Sequence, residues 1–132
     1  QFEARDAIQA RRKQIWETYD EALQGWAAER GVGLPVVPPH CQQTYHMFYL
    51  LLPSLDVRQA LIEHLKARGI LAVFHYLPLH LSEMGLRFGG QPGDCPVTED
   101  ISDRLLRLPF YSTLEPGEQA LVVEALRAFE GF

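Results

Sequence analysis

The apolar residues in the first part of the chain recur at three- and four-residue spacing. This repeat covers residues 4–29 and predicts one long amphipathic helix. Gly31 and Gly33 follow it, and glycine is the residue that most often ends a helix. The apolar positions of the repeat are Ile8, Ile15, Trp16, Tyr19, Ala22, Leu23 and Trp26.

The middle of the chain alternates between strand-like and helix-like patterns. Residues 44–52 are rich in aromatic and aliphatic side chains and predict a central strand that ends at Pro53. Residues 56–68 place their apolar side chains on one helical face, and Gly69 is expected just after that helix. Residues 70–74 then predict a short buried strand.

Residues 77–97 have neither a helical nor an alternating period and contain several glycines and prolines. A loop of this length in a compact domain is usually functional, interface-forming or disordered.

Beyond this loop, Thr98 is expected to cap a helix that buries Ile101, Leu105 and Leu106. Residues 108–111 predict a short edge strand, because Pro109 has no N–H to donate to a central ladder. Pro116 is expected to open the last helix. Its inward-facing residues are predicted to be Leu121, Val122, Ala125, Leu126 and Phe129. Together the elements predict an α+β fold, a small mostly antiparallel sheet covered by helices.

The composition limits the classes of function. The 132 residues fit one domain, and a net charge of −5 gives no electrostatic basis for binding nucleic acid. The one basic run, Arg11-Arg12-Lys13, lies in the helical pattern and is expected to be a solvated helix face. No apolar run is long enough to span a membrane. Cys41 and Cys95 are too few for a disulfide framework, which favours a reducing, cytoplasmic setting.

The strongest candidate for chemistry is the end of the second strand, where His75, Tyr76 and His80 follow an apolar run. Three interpretations are open. Zinc would need further converging ligands, such as His46 or Cys41. A self-contained catalytic site would need a nucleophile motif near His75, and none is present. Alternatively, the polar rings satisfy backbone groups at the end of a strand. Their position beside a long Gly/Pro loop favours a binding role.

The segment His75-Tyr76-Leu77-Pro78-Leu79-His80 resembles the H-Y-x-P-L-H signature of the DegT/DnrJ/EryC1/StrS sugar-nucleotide aminotransferases. Three further segments fall in that family's order and spacing, the helix from Arg11-Arg12-Lys13 to Ala22-Leu23, His46-Met47-Phe48-Tyr49 and Arg107-Leu108-Pro109-Phe110-Tyr111. The similarity extends over essentially the whole chain. It corresponds to about the last third of such an enzyme.

The resemblance implies a C-terminal small domain of the aspartate aminotransferase fold. Residues 1–33 would form a helix linking to a large domain that binds pyridoxal phosphate, and residues 34–132 would form the small α+β domain. The whole enzyme would move an amino group from glutamate to the 4-keto carbon of a TDP-sugar, usually as a homodimer. The chain begins at Gln1 without a methionine, which agrees with a piece of a longer polypeptide.

The chain's two lysines, Lys13 and Lys66, both lie on the polar sides of predicted helices. A lysine that forms a Schiff base with pyridoxal phosphate must be partly desolvated. We therefore expect no catalytic residue in this chain, no bound cofactor, and no amino transfer by the chain alone. We also expect no metal ligand, because His75 and His80 lie five positions apart and do not share a helical face.

The resemblance implies that this chain forms the substrate-facing wall of the active site. His75 and Tyr76 are expected to face the cofactor and sugar, and His80 to contact or support the sugar nucleotide. His46 is either a residue that supports these side chains from behind or a core histidine. Arg87 could bind a diphosphate, although a solvated loop arginine explains it better. Phe110 and Tyr111 are expected to pack rather than to stack on a ligand.

A second hypothesis is a free-standing, non-catalytic α+β interaction or regulatory module. The coding sequence upstream of Gln1 would separate the two, since a lysine associated with a strand is expected there only for the aminotransferase.

Overall fold

The computed structural model describes residues 2–132, in which helices and short strands follow one another along the chain. The helices within these residues are α1 Arg5–Arg30, α2 Leu55–Lys66, α3 Glu83–Arg87, α4 Pro96–Arg104 and α5 Pro116–Arg127. The strands are β1 Tyr49–Leu51, β2 Val73–Phe74 and β3 Leu105–Arg107. The predicted α+β class is confirmed.

The long first helix is present as predicted. It buries one side only, and it ends at Gly31, whose φ of 65° is the left-handed conformation that glycine adopts without a steric penalty. The N–H of Gly31 donates to the carbonyl of Ala27. No residue of the first two helical turns is buried. The buried residues of α1 are Ile15, Trp16, Tyr19, Leu23, Trp26 and Ala27.

The three strands form one antiparallel sheet in the order β1-β3-β2. The central strand pairs Leu106 with Leu50 on one side and with Phe74 on the other. Leu50 and Leu106 are fully buried in the core, whereas Phe74 is 49% exposed. Arg107 lies opposite both Tyr49 and Val73. The last strand in the chain is therefore the middle strand of the sheet.

The prediction for the region around β3 was wrong in two respects. The expected edge strand at 108–111 is not a strand, and Leu105 and Leu106 belong to β3 rather than to a helix. Pro109 cannot donate to a ladder, so pairing is made by the residues before it. The preceding helix, α4, begins earlier than predicted, with Cys95 at the N-cap and Pro96 in its first turn, and Thr98 lies inside it.

The last helix begins at Pro116 as predicted and is capped by a reciprocal pair of hydrogen bonds between Glu115 and Glu118. Four of its five predicted inward residues are buried, whereas Leu121 is 61% exposed. The helix also buries Gln119 and Val123, so its buried face differs from the predicted one, and Leu121 lines an open groove.

The region 77–97 contains local structure that the sequence did not predict. A 3-10 turn covers Leu79–Leu81, and α3 follows, capped by the side chain of Ser82. Gly85 and Gly90 both pass close to the carbonyl of His80, where a Cβ atom would collide with the backbone. These glycines permit a loop that folds tightly around His80.

The core joins α1 to the sheet and to α5. The ring of Phe48, just before β1, packs against Trp16 and Tyr19 with centroid distances of 5.4 and 5.3 Å. Burial raises the pKa of Tyr19, and its protonated hydroxyl donates to the carbonyl of Pro109 at 3.0 Å. Full burial of an aliphatic or aromatic side chain contributes roughly 1.5–3 kcal/mol. This cluster accordingly fixes α1 against the segment that follows β3.

Candidate functional site

The predicted motif leaves the sheet at the end of β2 and is tied to α4. The backbone carbonyl of Tyr76 accepts a hydrogen bond from the Ser102 hydroxyl at 3.1 Å, and Pro78 is buried. The side chain of Tyr76 is nevertheless 75% exposed. The backbone is thus fixed while the phenol ring points to solvent.

His75 is half-buried and lies beside two aromatic or cationic neighbours. Its ring meets that of Tyr76 edge to face at a centroid distance of 5.0 Å. Its Nδ1 atom is buried, with no hydrogen-bond partner among residues 2–132. Burial lowers the pKa of His75, and the positive charges of Arg107 and His46 lower it further. The neutral imidazole is therefore the form that this environment favours.

Arg107 reaches the same corner from β3. Its guanidinium lies over the Tyr76 ring, 5.8 Å from the centroid, and its Nε atom is buried without a partner within the described chain. No carboxylate among residues 2–132 lies within salt-bridge distance of it. The sequence analysis had quoted Arg107 only as part of a motif. Its place at the site depends on the pairing of β3 with β2, which sequence spacing does not reveal.

His46 lies before β1 and is exposed, so its interpretation as a core histidine is wrong. Its Nδ1 is 3.1 Å from the hydroxyl of Thr44. Between them, Tyr45 has a φ of 48°, an uncommon conformation for a residue with a side chain. The alternative, that His46 supports the substrate-facing residues, stays a prediction.

His80 has a different environment from His75. Its Nε2 atom donates to Glu99 Oε1 at 2.8 Å, and the pair is largely shielded from solvent. Glu99 also accepts from the backbone N–H groups of Gly93, at 2.9 Å, and Cys95, at 3.3 Å. The hydrogen bond from His80 is the main cause that lowers the pKa of Glu99. We call His80, Glu99 and these two N–H groups the loop clasp.

The loop clasp explains what His80 does within the chain. The carboxylate of Glu99, in the first turn of α4, joins His80 at the start of the loop to Gly93 and Cys95 at its end. The sequence analysis assigned no role to Glu99. Direct contact of His80 with a substrate, the other part of the prediction, is not tested by these contacts.

A groove of about 860 Å³ adjoins the His75 corner. His46 and Arg107 line one end of it, and α5 supplies the wall with Leu121, Val122 and Ala125. His75, Tyr76 and His80 do not line this groove. The predicted site residues are therefore divided between the groove, the exposed strand end and the loop clasp.

Phe110 and Tyr111 also line the groove. Phe110 packs against the core, as predicted. The Tyr111 hydroxyl is 3.5 Å from Glu118 Oε2. Burial and the charge of Glu118 raise the pKa of Tyr111.

The remaining charged candidates are on the surface. Arg87 pairs with Glu83 at 3.1 Å with both side chains exposed, which agrees with a solvated loop arginine. Lys13 lies 3.6 Å from Glu17, and Lys66 is exposed on α2. Both lysines are therefore exposed helix side chains, as the sequence predicted.

Metal and membrane sites were also sought in the described part of the chain. Residues 2–132 contain no group of three or more side chains that could hold a metal ion. None of the helices they form is both long and apolar enough to cross a membrane. Cys41 and Cys95 are free thiols on the surface.

Comparison with known proteins establishes the family. The profile of the DegT/DnrJ/EryC1/StrS aminotransferase family matches residues 1–127. The chain belongs to this family.

Individual members of the DegT/DnrJ/EryC1/StrS family match most of the chain but only part of their own length. The dTDP-3-amino-3,4,6-trideoxy-alpha-D-glucose transaminase of Streptomyces venezuelae is 34% identical over 108 residues, covering 81% of this chain and 28% of the relative. The UDP-N-acetyl-3-dehydro-alpha-D-glucosamine 3-aminotransferase of Acidithiobacillus ferrooxidans is 33% identical over 78% of this chain and 28% of its own length. This chain thus spans less than a third of these relatives.

Solved structures give the same correspondence. DesV of S. venezuelae matches with a TM-score of 0.82 and 32% identity, over 92% of this chain and 32% of DesV. The aminotransferase TlmJ of Streptoalloteichus hindustanus matches with a TM-score of 0.83 and 26% identity, over 96% of this chain and 33% of TlmJ. Both of these structures therefore contain the arrangement of helices and sheet described above.

Proposed function

We propose that this chain is the C-terminal part of a pyridoxal-phosphate-dependent transaminase of TDP-4-oxo-6-deoxy-D-glucose. The whole enzyme would transfer an amino group from glutamate to the 4-keto carbon of that sugar, as in the synthesis of enterobacterial common antigen or lipopolysaccharide. The observation that carries the proposal is the strand end where His75 and the exposed Tyr76 lie beside the unpaired Arg107. Family membership and the resemblance of the H-Y-x-P-L-H segment supply the reaction class.

The proposed division of labour follows from the side chains present. Pyridoxal phosphate, when bound, supplies the electron sink for moving the amino group. The lysine that holds it, the partner of its ring nitrogen and most phosphate contacts would lie in a large domain upstream of Gln1. His75 and Tyr76 would border the sugar, His46 would support them, and His80 would hold the loop beside them. The chain itself contributes binding and orientation rather than a catalytic group.

Large apolar side chains beside the motif are exposed, which supports the proposal that another domain covers them in the whole enzyme. Leu77, Leu79 and Phe88 are 71%, 83% and 84% exposed. Large apolar side chains clustered on a surface commonly mark an interface. We assign their cover to the large domain, which residues 1–33 would join to the small domain at 34–132, in a cytoplasmic homodimer.

The test of substrate is a panel assay on the whole enzyme. TDP-4-oxo-6-deoxy-D-glucose should be aminated at C4 with glutamate as donor. UDP-linked and 3-keto sugars should react at least about tenfold less well by kcat/KM. Amination at C3, or a preference for a UDP-sugar, would contradict the finer assignment while leaving the reaction class intact.

The test of the division of labour uses the 132-residue chain alone. It should show no absorbance from a cofactor Schiff base after incubation with pyridoxal phosphate, and no amino transfer. Lys13→Arg and Lys66→Arg variants serve as controls. A Schiff base in the parent chain that one of these variants removes would show that a lysine of this chain holds the cofactor.

A further inference from the structure

One face of α4 holds both ends of the motif that follows β2. Glu99 and Ser102 are three positions apart in α4, so their side chains lie on the same side of the helix. Glu99 accepts a hydrogen bond from His80 Nε2 at 2.8 Å, and the Ser102 hydroxyl donates to the carbonyl of Tyr76 at 3.1 Å. The position of α4 therefore determines where residues 76–80 lie.

Arg58 is the side chain that joins α2 to the last turn of α4. It is only 7% exposed, and its Nη1 atom donates to the carbonyl of Ser102 at 2.9 Å. Carbonyl groups in the last turn of a helix have no N–H partner within that helix, and a positive charge near them is favourable. The same guanidinium lies over the ring of Phe74, 5.5 Å from its centroid. One buried side chain thus contacts both α4 and the last residue of β2.

The charge of Arg58 is not explained by its own helix. Arg58 is the fourth residue of α2, close to the N-terminal end, where a positive charge is disfavoured. It makes no salt bridge within residues 2–132, and its Nε atom is buried without a hydrogen-bond partner there. Burying a charge that is not paired costs free energy. Stability alone therefore does not account for a guanidinium at this position, and its contacts with Ser102 and Phe74 point to a role in orientation.

We propose that Arg58 is a positioning residue, which fixes α4 against β2 and so sets the direction in which His75 and Tyr76 leave the sheet. This rests on the proposed function, in which these two side chains border the sugar. Ser102 carries the effect, because its carbonyl accepts from Arg58 while its hydroxyl donates to Tyr76. Arg58 itself is buried and acts through these contacts.

The first test is NMR of the aromatic rings in the 132-residue chain with Arg58→Met, which keeps a long apolar side chain and removes the guanidinium. The ring contact between His75 and Tyr76 should weaken, and the pKa of His75 should rise toward 6.5 as its ring becomes more exposed. Arg68→Met is the matched control, because Arg68 also donates to a carbonyl in the last turn of a helix, that of His64 in α2. No change at His75 in Arg58→Met, or an equal change in Arg68→Met, would overturn the proposal.

Ser102→Ala tests the route by which Arg58 acts. It removes the hydroxyl that holds Tyr76 and keeps the carbonyl to which Arg58 donates. The variant should reproduce part of the change in the pKa of His75. The double variant with Arg58→Met should change that pKa by less than the sum of the two single variants, because both act through one series of contacts. A full sum would show that Arg58 does not act through Ser102.

Kinetics of the whole enzyme separate this proposal from the proposed function. Arg58→Met should raise KM for the sugar nucleotide by about tenfold and change kcat less, because the side chains that border the sugar are displaced. Arg58→Lys should recover part of the loss, since an ammonium can donate to the Ser102 carbonyl but does not stack as a planar group. A lower kcat with normal KM would indicate less folded enzyme and overturn the positioning role. Failure of the parent enzyme to aminate any sugar nucleotide would instead remove the proposed function, and the ring measurements on the 132-residue chain would still decide what Arg58 does.

Discussion

His75 and His80 lie five positions apart in one motif, and their surroundings are opposite. The Nε2–H group of His80 donates a hydrogen bond to Glu99, which also accepts hydrogen bonds from two backbone N–H groups. His75 has a buried Nδ1 atom without a hydrogen-bond partner among residues 2–132, and the charge of Arg107 acts on its ring. The two ends of the motif therefore differ in role. His80 is hydrogen-bonded to Glu99 within the chain, whereas the buried Nδ1 atom of His75 has no hydrogen-bond partner among residues 2–132.

The largest loss of stability is expected from a substitution that adds a side-chain atom beside the carbonyl of His80. In Gly90→Ala the new Cβ would overlap the carbonyl of His80, and the backbone cannot move away without opening the loop. We expect a loss of about 2–4 kcal/mol in the free energy of unfolding, measured by urea denaturation. Gly25→Ala is the control, because its Cβ meets nothing within 4 Å and it lies inside α1. Gly25→Ala should leave the free energy of unfolding unchanged or increase it. A loss in Gly90→Ala no larger than that in Gly25→Ala would show that the loop is not tightly packed around His80.

The next largest effect concerns the loop clasp. Glu99→Gln and His80→Asn should each speed amide hydrogen exchange in residues 79–95 by about tenfold or more, because the loop then opens locally. Exchange in α1 should not change. If the loop stays protected in both variants, the clasp is not what holds it.

The same clasp predicts an acid dependence. The pKa of Glu99 is lower in the folded chain than its ordinary value of 4.5. The clasp therefore contributes its full stability above pH 4.5 and loses it as the pH falls through the lowered pKa. Protection of the loop should decline below pH 4.5 in the parent chain. In Glu99→Gln this part of the pH dependence should be absent.

A smaller effect is expected at His75. Its pKa in the folded chain lies below 6.5, so the unfolded state takes up a proton more readily. The stability contributed by the neutral ring is present above pH 6.5 and is lost as the pH falls toward the lowered pKa. Arg107→Gln removes one repulsive charge and should raise the pKa of His75, measured by NMR without added anion. Arg87→Gln should not, since Arg87 pairs with Glu83 away from this corner.

The smallest effect is that of Arg87 on stability. Its exposed pair with Glu83 should contribute no more than about 0.5 kcal/mol. Thermal denaturation of Arg87→Gln should give a Tm close to that of the parent chain. A large decrease would mean that Arg87 holds the loop as firmly as the clasp does.

The sequence was informative where structure depends on local pattern. The period of α1, the end of that helix at Gly31 and the start of α5 at Pro116 each follow from residues close together in the chain. The position of β3 does not, because Leu105 and Leu106 fit a helical spacing equally well. Only the pairing of Leu105 with Leu51, and of Leu106 with Leu50 and Phe74, makes them a strand.

The residues of the candidate site also differ in whether local sequence could reveal them. His75 and Tyr76 could be recognised because they belong to a contiguous segment. Arg107 and Glu99 could not, because Arg107 reaches Tyr76, and Glu99 reaches His80, from a separate element of the fold. Leu121 shows a related limit of the sequence. Its spacing predicts that it lies on the apolar face of a helix, but does not show whether another element covers it, and in the structure it is exposed.

The order of the sheet has a consequence for how the chain is made. β1 and β2 are synthesised first and do not pair with each other, and the strand that separates them comes from far along the chain. Until β3 is inserted, both earlier strands have unpaired edges, which favour association with other chains. Such distant pairing also slows folding. Ribosome-bound chains that stop before Leu105 should therefore depend on chaperones, and release of β3 should end that dependence.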